Sequence, residues 1–167
     1  AVGTYTEVLT ADYTANDNYH VSVQNGDFTI KTASIAGAEL TATGGSWIYD
    51  GAAHAAAGEV ENADGYTVYY KVGNGGWTTD APSVTNVADG IVTVSVKATR
   101  TGYEELTAAP VTLEIIPKDV TIIVDPAEKF FDEADPKFTG TVTGLVKDGD
   151  LTGLTYVRTN DDEEVGI

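Results

Sequence analysis

Cysteine is absent from this 167-residue chain, which excludes disulfides, thiolate metal sites and a cysteine nucleophile. That absence leaves the compartment open, since many surface proteins lack cysteine too. Basic residues are scarce: nine Lys and Arg stand against 26 Asp and Glu, a net charge of −17. A field of that sign repels phosphate backbones and anionic headgroups, so nucleic acid and electrostatic membrane docking are disfavoured. No apolar run approaches the roughly 20 residues that span a bilayer, so membrane insertion is not expected. No cationic stretch followed by an apolar one marks a leader. Helical periodicity is weak as well. The one alanine-rich stretch, 52–57, is short, uncapped and flanked by Gly51 and Gly58, and reads as a strand edge or loop.

What the chain does have is strand and turn chemistry. Eighteen glycines, with abundant Thr and Val, accompany an apolar share of 42% and a charged share of 21%, a globular composition that favours strands. Apolar or β-branched residues alternate with polar ones over 4–10, 19–23, 28–30, 66–72, 91–98 and 111–116. Between them stand Asn25-Gly26, Asp64-Gly65, Asn74-Gly75-Gly76, Asp89-Gly90 and Asp148-Gly149, pairs suited to tight strand reversals. The length suits two small modules of about 80 residues each. The expectation is an all-β fold of immunoglobulin-like β-sandwich modules in tandem.

The phasing of those modules is unusual. Strand-like runs end and restart near Thr32-Ala33-Ser34 and Ile116-Pro117-Lys118. An internal echo supports these joints: Gly3-Thr4-Tyr5-Thr6-Glu7-Val8-Leu9-Thr10-Ala11, then Tyr19, has the order of Gly90-Ile91-Val92-Thr93-Val94-Ser95-Val96-Lys97-Ala98, then Tyr103. Each is followed by a final strand, at 28–31 or 111–116. Residues 1–33 thus read as the closing half of a module, 34–117 as a complete one and 118–167 as the opening half of another. The start at Ala1-Val2-Gly3 falls in mid-pattern, and Val165-Gly166-Ile167 breaks off where Val2-Gly3-Thr4 picks up. That points to a piece of a longer array, cut in mid-module. Short joints imply a rod of limited bending.

At these residues the chain resembles two kinds of bacterial cell-surface repeat. The stretch containing Ile48-Tyr49-Asp50-Gly51-Ala52-Ala53-His54, Val68-Tyr69-Tyr70-Lys71, Gly75-Gly76-Trp77-Thr78 and Thr93-Val94-Ser95-Val96-Lys97-Ala98 looks like the Tyr-Asp-Gly type of bacterial immunoglobulin-like repeat. The stretch containing Phe130-Phe131-Asp132-Glu133-Ala134-Asp135-Pro136, Val142-Thr143-Gly144-Leu145 and Asp148-Gly149-Asp150-Leu151 is similar to the first half of the MBG repeat, mostly β with glycine pairs. Residues 1–33 look like its second half. Asp132 departs from that pattern, which has Gly after the aromatic residue, so a different turn is expected there. The resemblance implies tandem repeats of long secreted adhesins and stalks on the bacterial cell surface, with no catalytic residue, cofactor or defined ligand to carry over.

Chemistry-bearing residues are few. His20 and His54 have no Ser or Cys nucleophile in a recognisable setting, and structural roles are expected: a turn motif for His54, an alternating strand for His20. Acidic clusters at Asp132-Glu133-Asp135, Asp148-Asp150 and 161–164 offer oxygens to Ca²⁺ without calcium-loop spacing, and solvated loops explain them more simply. Trp77, following the Asn74-Gly75-Gly76 turn, with Tyr69 and Tyr70, is the candidate platform for a sugar ring or a partner's apolar surface. Against it stands the plainer expectation that Trp47 and one of the tyrosines fill the core. Lys71 and Lys97 lie on expected strands, where a Lys to Asn isopeptide crosslink would lower the mass by roughly 17 Da; strand lysines more often point to water.

Three functional expectations follow. The leading one is a non-enzymatic spacer or adhesin segment, its chain ends completing each other's sheets between molecules by strand complementation. The second is carbohydrate or mucin binding on a host surface through Trp77. The third is an ancillary domain of an extracellular hydrolase.

Overall fold

The structure, a computed structural model, describes residues 1–160. The acidic run 161–164 and Val165-Gly166-Ile167 lie outside them. Alternation gives strands throughout: β1 Gly3–Leu9, β2 Gly26–Ile30, β3 Glu39–Thr43, β4 Gly45–Ile48, β5 His54–Ala55, β6 Ala57–Glu61, β7 Thr67–Val72, β8 Ser83–Val84, β9 Val92–Thr99, β10 Leu106–Thr107, β11 Val111–Ile116, β12 Thr121–Val124 and β13 Gly140–Thr143. A 3-10 turn at Val87–Asp89 is the one helical element among the described residues. The protein is all-β. The alanine-rich stretch 52–57 supplies β5 and the start of β6, not a helix.

Residues 34–117 build two facing layers. In one, β9 carries β7 antiparallel along one edge, with β11 and β10 on the other, and β4 joins β11 in parallel. In the other, β3 pairs with β6 and β5 with β8. Ala56 links β5 to β6, and its amide donates to the Pro82 carbonyl at 2.9 Å. Period-2 alternation sends Tyr70, Val94, Val96, Ala98, Leu113 and Ile115 inward from the first layer, to meet Leu40, Ala56 and Val84 from the second. Among the described residues, all the buried hydrophobic ones lie between Leu40 and Ile115.

The first strand changes layers at Gly44, between β3 and β4. A Cβ there would come within 2.5 Å of the Thr112 carbonyl oxygen and 3.0 Å of Val111 Cβ. Only the absence of a side chain lets the crossing pass so close to β11.

The remaining elements form two separate hairpins. β1 pairs with β2, Gly3 opposite Ile30 and Tyr5 opposite Phe28, with an irregularity between Tyr5 and Leu9 where Glu7 takes φ of 55°. β12 pairs with β13, Ile122 opposite Val142. Each is a two-stranded sheet, hydrogen-bonded to no third strand among the described residues. The first hairpin is tied to the turn beyond the end of β9: Ala33 donates to Gly102 O and Glu104 donates to Ala33 O, both at 2.9 Å. The second follows β11, whose Leu113 lies opposite Val92 at the start of β9. The hairpins therefore sit at opposite ends of an eight-residue strand, about 25 Å at roughly 3.3 Å per residue. Between β11 and the second hairpin lies an apolar cavity of about 300 Å³, lined by Tyr49, Val87, Pro117, Val120, Val146 and Leu151 among others.

Three local expectations are corrected. Residues 19–23 form no strand, because no third strand offers hydrogen bonds and no opposing layer covers Tyr19, Val21 and Val23, which are exposed. His20 is therefore not on a strand. Asn25-Gly26 is not a reversal: Gly26 already lies in β2, opposite Leu9. In the Asn74-Gly75-Gly76 turn, the positive φ belongs to Gly73, at 51°, and Gly75 donates to Val72 O at 2.9 Å. Asp132 itself adopts φ of 63°, a left-handed geometry that Asp tolerates better than most residues.

Leu113→Ala is expected to cost about 3 kcal/mol of stability through the cavity it leaves, and Gly44→Ala about 2 kcal/mol through overpacking against β11. Urea unfolding with constant m-value checks both; a cost below about 0.5 kcal/mol for Leu113→Ala would remove it from the core.

Candidate functional site

The outward face of the β7–β9–β11 layer carries the candidate platform. Alternation on β7 separates the two adjacent tyrosines. Tyr70 points inward at 8% exposure, and its hydroxyl accepts from the Gly58 amide at 3.1 Å. It is a core residue and leaves the platform. Tyr69 and Lys71 share the outer face, Tyr69 standing opposite Lys97 on β9. Past the turn, Thr78 returns to bridge Tyr70 with paired backbone hydrogen bonds of 2.7 and 2.9 Å. That return lays the Trp77 ring across the outer face at 40% exposure.

Trp77 is not bare. Lys71 Nζ lies 5.1 Å and Lys97 Nζ 4.8 Å from the ring centroid, cation-π contacts worth about 0.5–1 kcal/mol each at an exposed site. Lys97 also pairs with Glu105 at 2.7 Å. A half-exposed indole flanked by two ammonium groups can stack an apolar ring face while the ammonium groups donate to its oxygens. The sequence had singled out Trp77 and Tyr69; Lys71, Lys97 and Glu105 belong beside them. Both lysines lie on the outer face, as strand lysines usually do.

The plainer core expectation for Trp47 agrees with its position. It packs half-buried against the core and stacks on His54, with centroids 4.6 Å apart and planes at 15°. His54 Nε2 lies 3.1 Å from Asp50 Oδ1, which also accepts from the Ala52 amide at 2.8 Å. This is a turn held by a carboxylate. Among the described residues no group of three or more His, Asp or Glu side chains is placed to hold a metal ion. Of the acidic residues singled out for Ca²⁺, Asp135 pairs with Lys129 and Arg158, each at 3.2 Å, and Asp150 accepts from the Lys147 amide at 3.1 Å; 161–164 lie outside the described residues. Among the described residues no helix is long and apolar enough to cross a membrane.

No protein-family model matches the chain, and neither a curated protein nor a solved structure does.

Asp89 closes the loop before β9. The amides of Asn86 and Thr85 donate to its Oδ2 at 2.8 and 2.7 Å and hold its carboxyl below the ordinary aspartate range. Asp50 is lowered likewise, first by the Ala52 amide and then by His54. Because these folded values lie below the unfolded ones, the stabilisation is complete above about pH 5 and is lost as pH falls through the folded values. Asp89→Ala is therefore expected to lower Tm at pH 7, with the gap from the parent chain closing below about pH 4. A gap of constant size across that range would show that the carboxylate charge contributes nothing.

Proposed function

We propose that this chain is a non-enzymatic spacer or adhesin repeat segment of a secreted bacterial surface protein. Its central unit is an immunoglobulin-like sandwich, flanked by the two halves of an MBG-like module. The chain ends complete each other's sheets between molecules. One observation carries the reading: positions that are buried in the central unit recur, exposed, in the terminal hairpins. Leu40 is 5% exposed where Ile122 is 42%, Leu113 0% where Phe28 is 47%, and Ile115 3% where Ile30 is 39%. Exposing such apolar faces costs about 25 cal/mol per Å², so a second copy that covers them gains that free energy. The hairpins sit at opposite ends of β9, so one molecule cannot supply both halves to itself. Head-to-tail pairing then yields an open rod, and the acidity keeps that rod soluble.

Light scattering across a concentration series tests the assembly. Mass should rise from monomer through dimer to higher multiples; strict monomer at about 1 mM, where even weak transient pairing is populated, would contradict the reading.

A second reading, carbohydrate or mucin recognition, is favoured by the exposure of Trp77 between Lys71 and Lys97. On a glycan array Trp77→Ala should abolish any binding at least tenfold while leaving Tm within a few degrees. Silence of the parent chain across the array would end this reading. The third expectation, an ancillary domain of an extracellular hydrolase, has no observation in its favour.

A further inference from the structure

The central unit supplies the register for the pairing of ends. Leu40 pairs with Val60 and Ile122 with Val142: both pairs are 20 residues apart, and four of the five pairs of the β3–β6 ladder, from Glu39–Glu61 to Ala42–Gly58, find their counterparts 82 positions later in β12–β13. A glycine under close side-chain contact recurs too. A Cβ on Gly58 would meet Val96 and Val68 at 2.8 and 2.9 Å, and one on Gly140, 82 positions on, would meet the Tyr156 ring at 2.5 Å. At the other end, Val92 opposite Leu113 has its counterpart in Tyr5 opposite Phe28, Tyr5 standing 87 positions before Val92 and Phe28 85 before Leu113. The terminal hairpins are thus the first-strand and last-strand hairpins of the same kind of unit.

In the central unit those two hairpins are joined by one parallel ladder: Leu113 opposite Gly45, Glu114 opposite Ser46, Ile115 opposite Trp47 and Ile116 opposite Ile48. Resting on the complementation reading above, we infer that residues 28–31 of one chain pair in parallel with residues 127–130 of a second copy. In this register Phe28 is opposite Ala127, Thr29 opposite Glu128, Ile30 opposite Lys129 and Lys31 opposite Phe130.

Two correspondences favour this register over a shifted one. In the central unit Ser46 Oγ donates to Glu114 Oε2 at 3.1 Å; the inferred pair keeps one hydroxyl and one carboxylate, in Thr29 and Glu128, with their strands exchanged. Tyr49 packs on the core and its amide donates to Ile116 O at 2.8 Å; its counterpart is Phe131, now 62% exposed. Ile48, by contrast, remains 63% exposed within its complete unit, and so does its counterpart Phe130 at 81%. The inner Trp47 position holds Lys129, which pairs with Asp135, so an ion pair replaces an aromatic contact there.

Because the chain has no cysteine, single substitutions report register directly. A Thr29→Cys chain mixed with a Glu128→Cys chain under mild oxidation should give a disulfide-linked dimer in roughly tenfold higher yield than Thr29→Cys mixed with Pro126→Cys or with Phe130→Cys, since Cα atoms more than about 7 Å apart cannot be bridged. Phe131→Ala should weaken assembly at least tenfold, and Phe130→Ala less than twofold. Preferential crosslinking of an offset pair, or none in a solution that light scattering shows to be assembled, overturns this register while leaving complementation intact. No crosslink in a solution that stays monomeric overturns complementation itself. All the substituted residues are exposed in the single chain, so loss of folding does not confuse the result.

Discussion

A β-layer with one apolar face needs a second layer against it. Within residues 34–117 both layers are present, and Val94, Val96, Ala98 and Leu113 are almost wholly withdrawn from solvent. In the terminal hairpins each strand is paired along one edge only and, among the described residues, no opposing layer covers them, so residues of the same character stand in water. Hydrogen bonding alone does not close a unit of this kind, because strand pairing in water exchanges one set of hydrogen bonds for another. Burial of the apolar face is what turns a hairpin into part of a stable sheet. On the proposed reading, the geometry of β9, with one hairpin beyond each end, would direct that need outward to another molecule.

Strand content and most of the turn glycines were legible from alternation and from Gly, Asn and Asp placement; Gly65, Gly90 and Gly149 all take positive φ. Alternation over 19–23 states only that the segment suits a half-buried strand, and says nothing of whether a neighbour exists to receive it. Tyr69 and Tyr70 could have been separated by period 2 on β7: once Lys71 faces water, Tyr69 must share its side and Tyr70 must face the core. The lysines around Trp77 were not legible in the same way, since the contact with Lys97 depends on the cross-strand register of β7 and β9. Nor was the layer crossing at Gly44, which is visible only through the nearness of Thr112 O.

The candidate platform and the proposed pairing of ends make different demands on the same scaffold. Trp77, Tyr69, Lys71 and Lys97 stand on β7, β9 and the returning turn, the most extensively paired part of the sheet, so their positions are held by the core beneath. The ends carry hairpins with no core of their own. A rod assembled through those ends would display one such platform per copy at fixed spacing, and several weak contacts in a row gain avidity when their spacing matches the target.

Hydrogen exchange of backbone amides, followed by mass spectrometry at concentrations spanning the onset of assembly, tests the central claim most directly. In dilute solution the β1–β2 and β12–β13 amides should exchange far faster than those of β9, and concentration should slow both hairpins together while β9 stays unchanged. If both hairpins are as protected as β9 in a solution of monomers, each end closes its own core and the account is wrong.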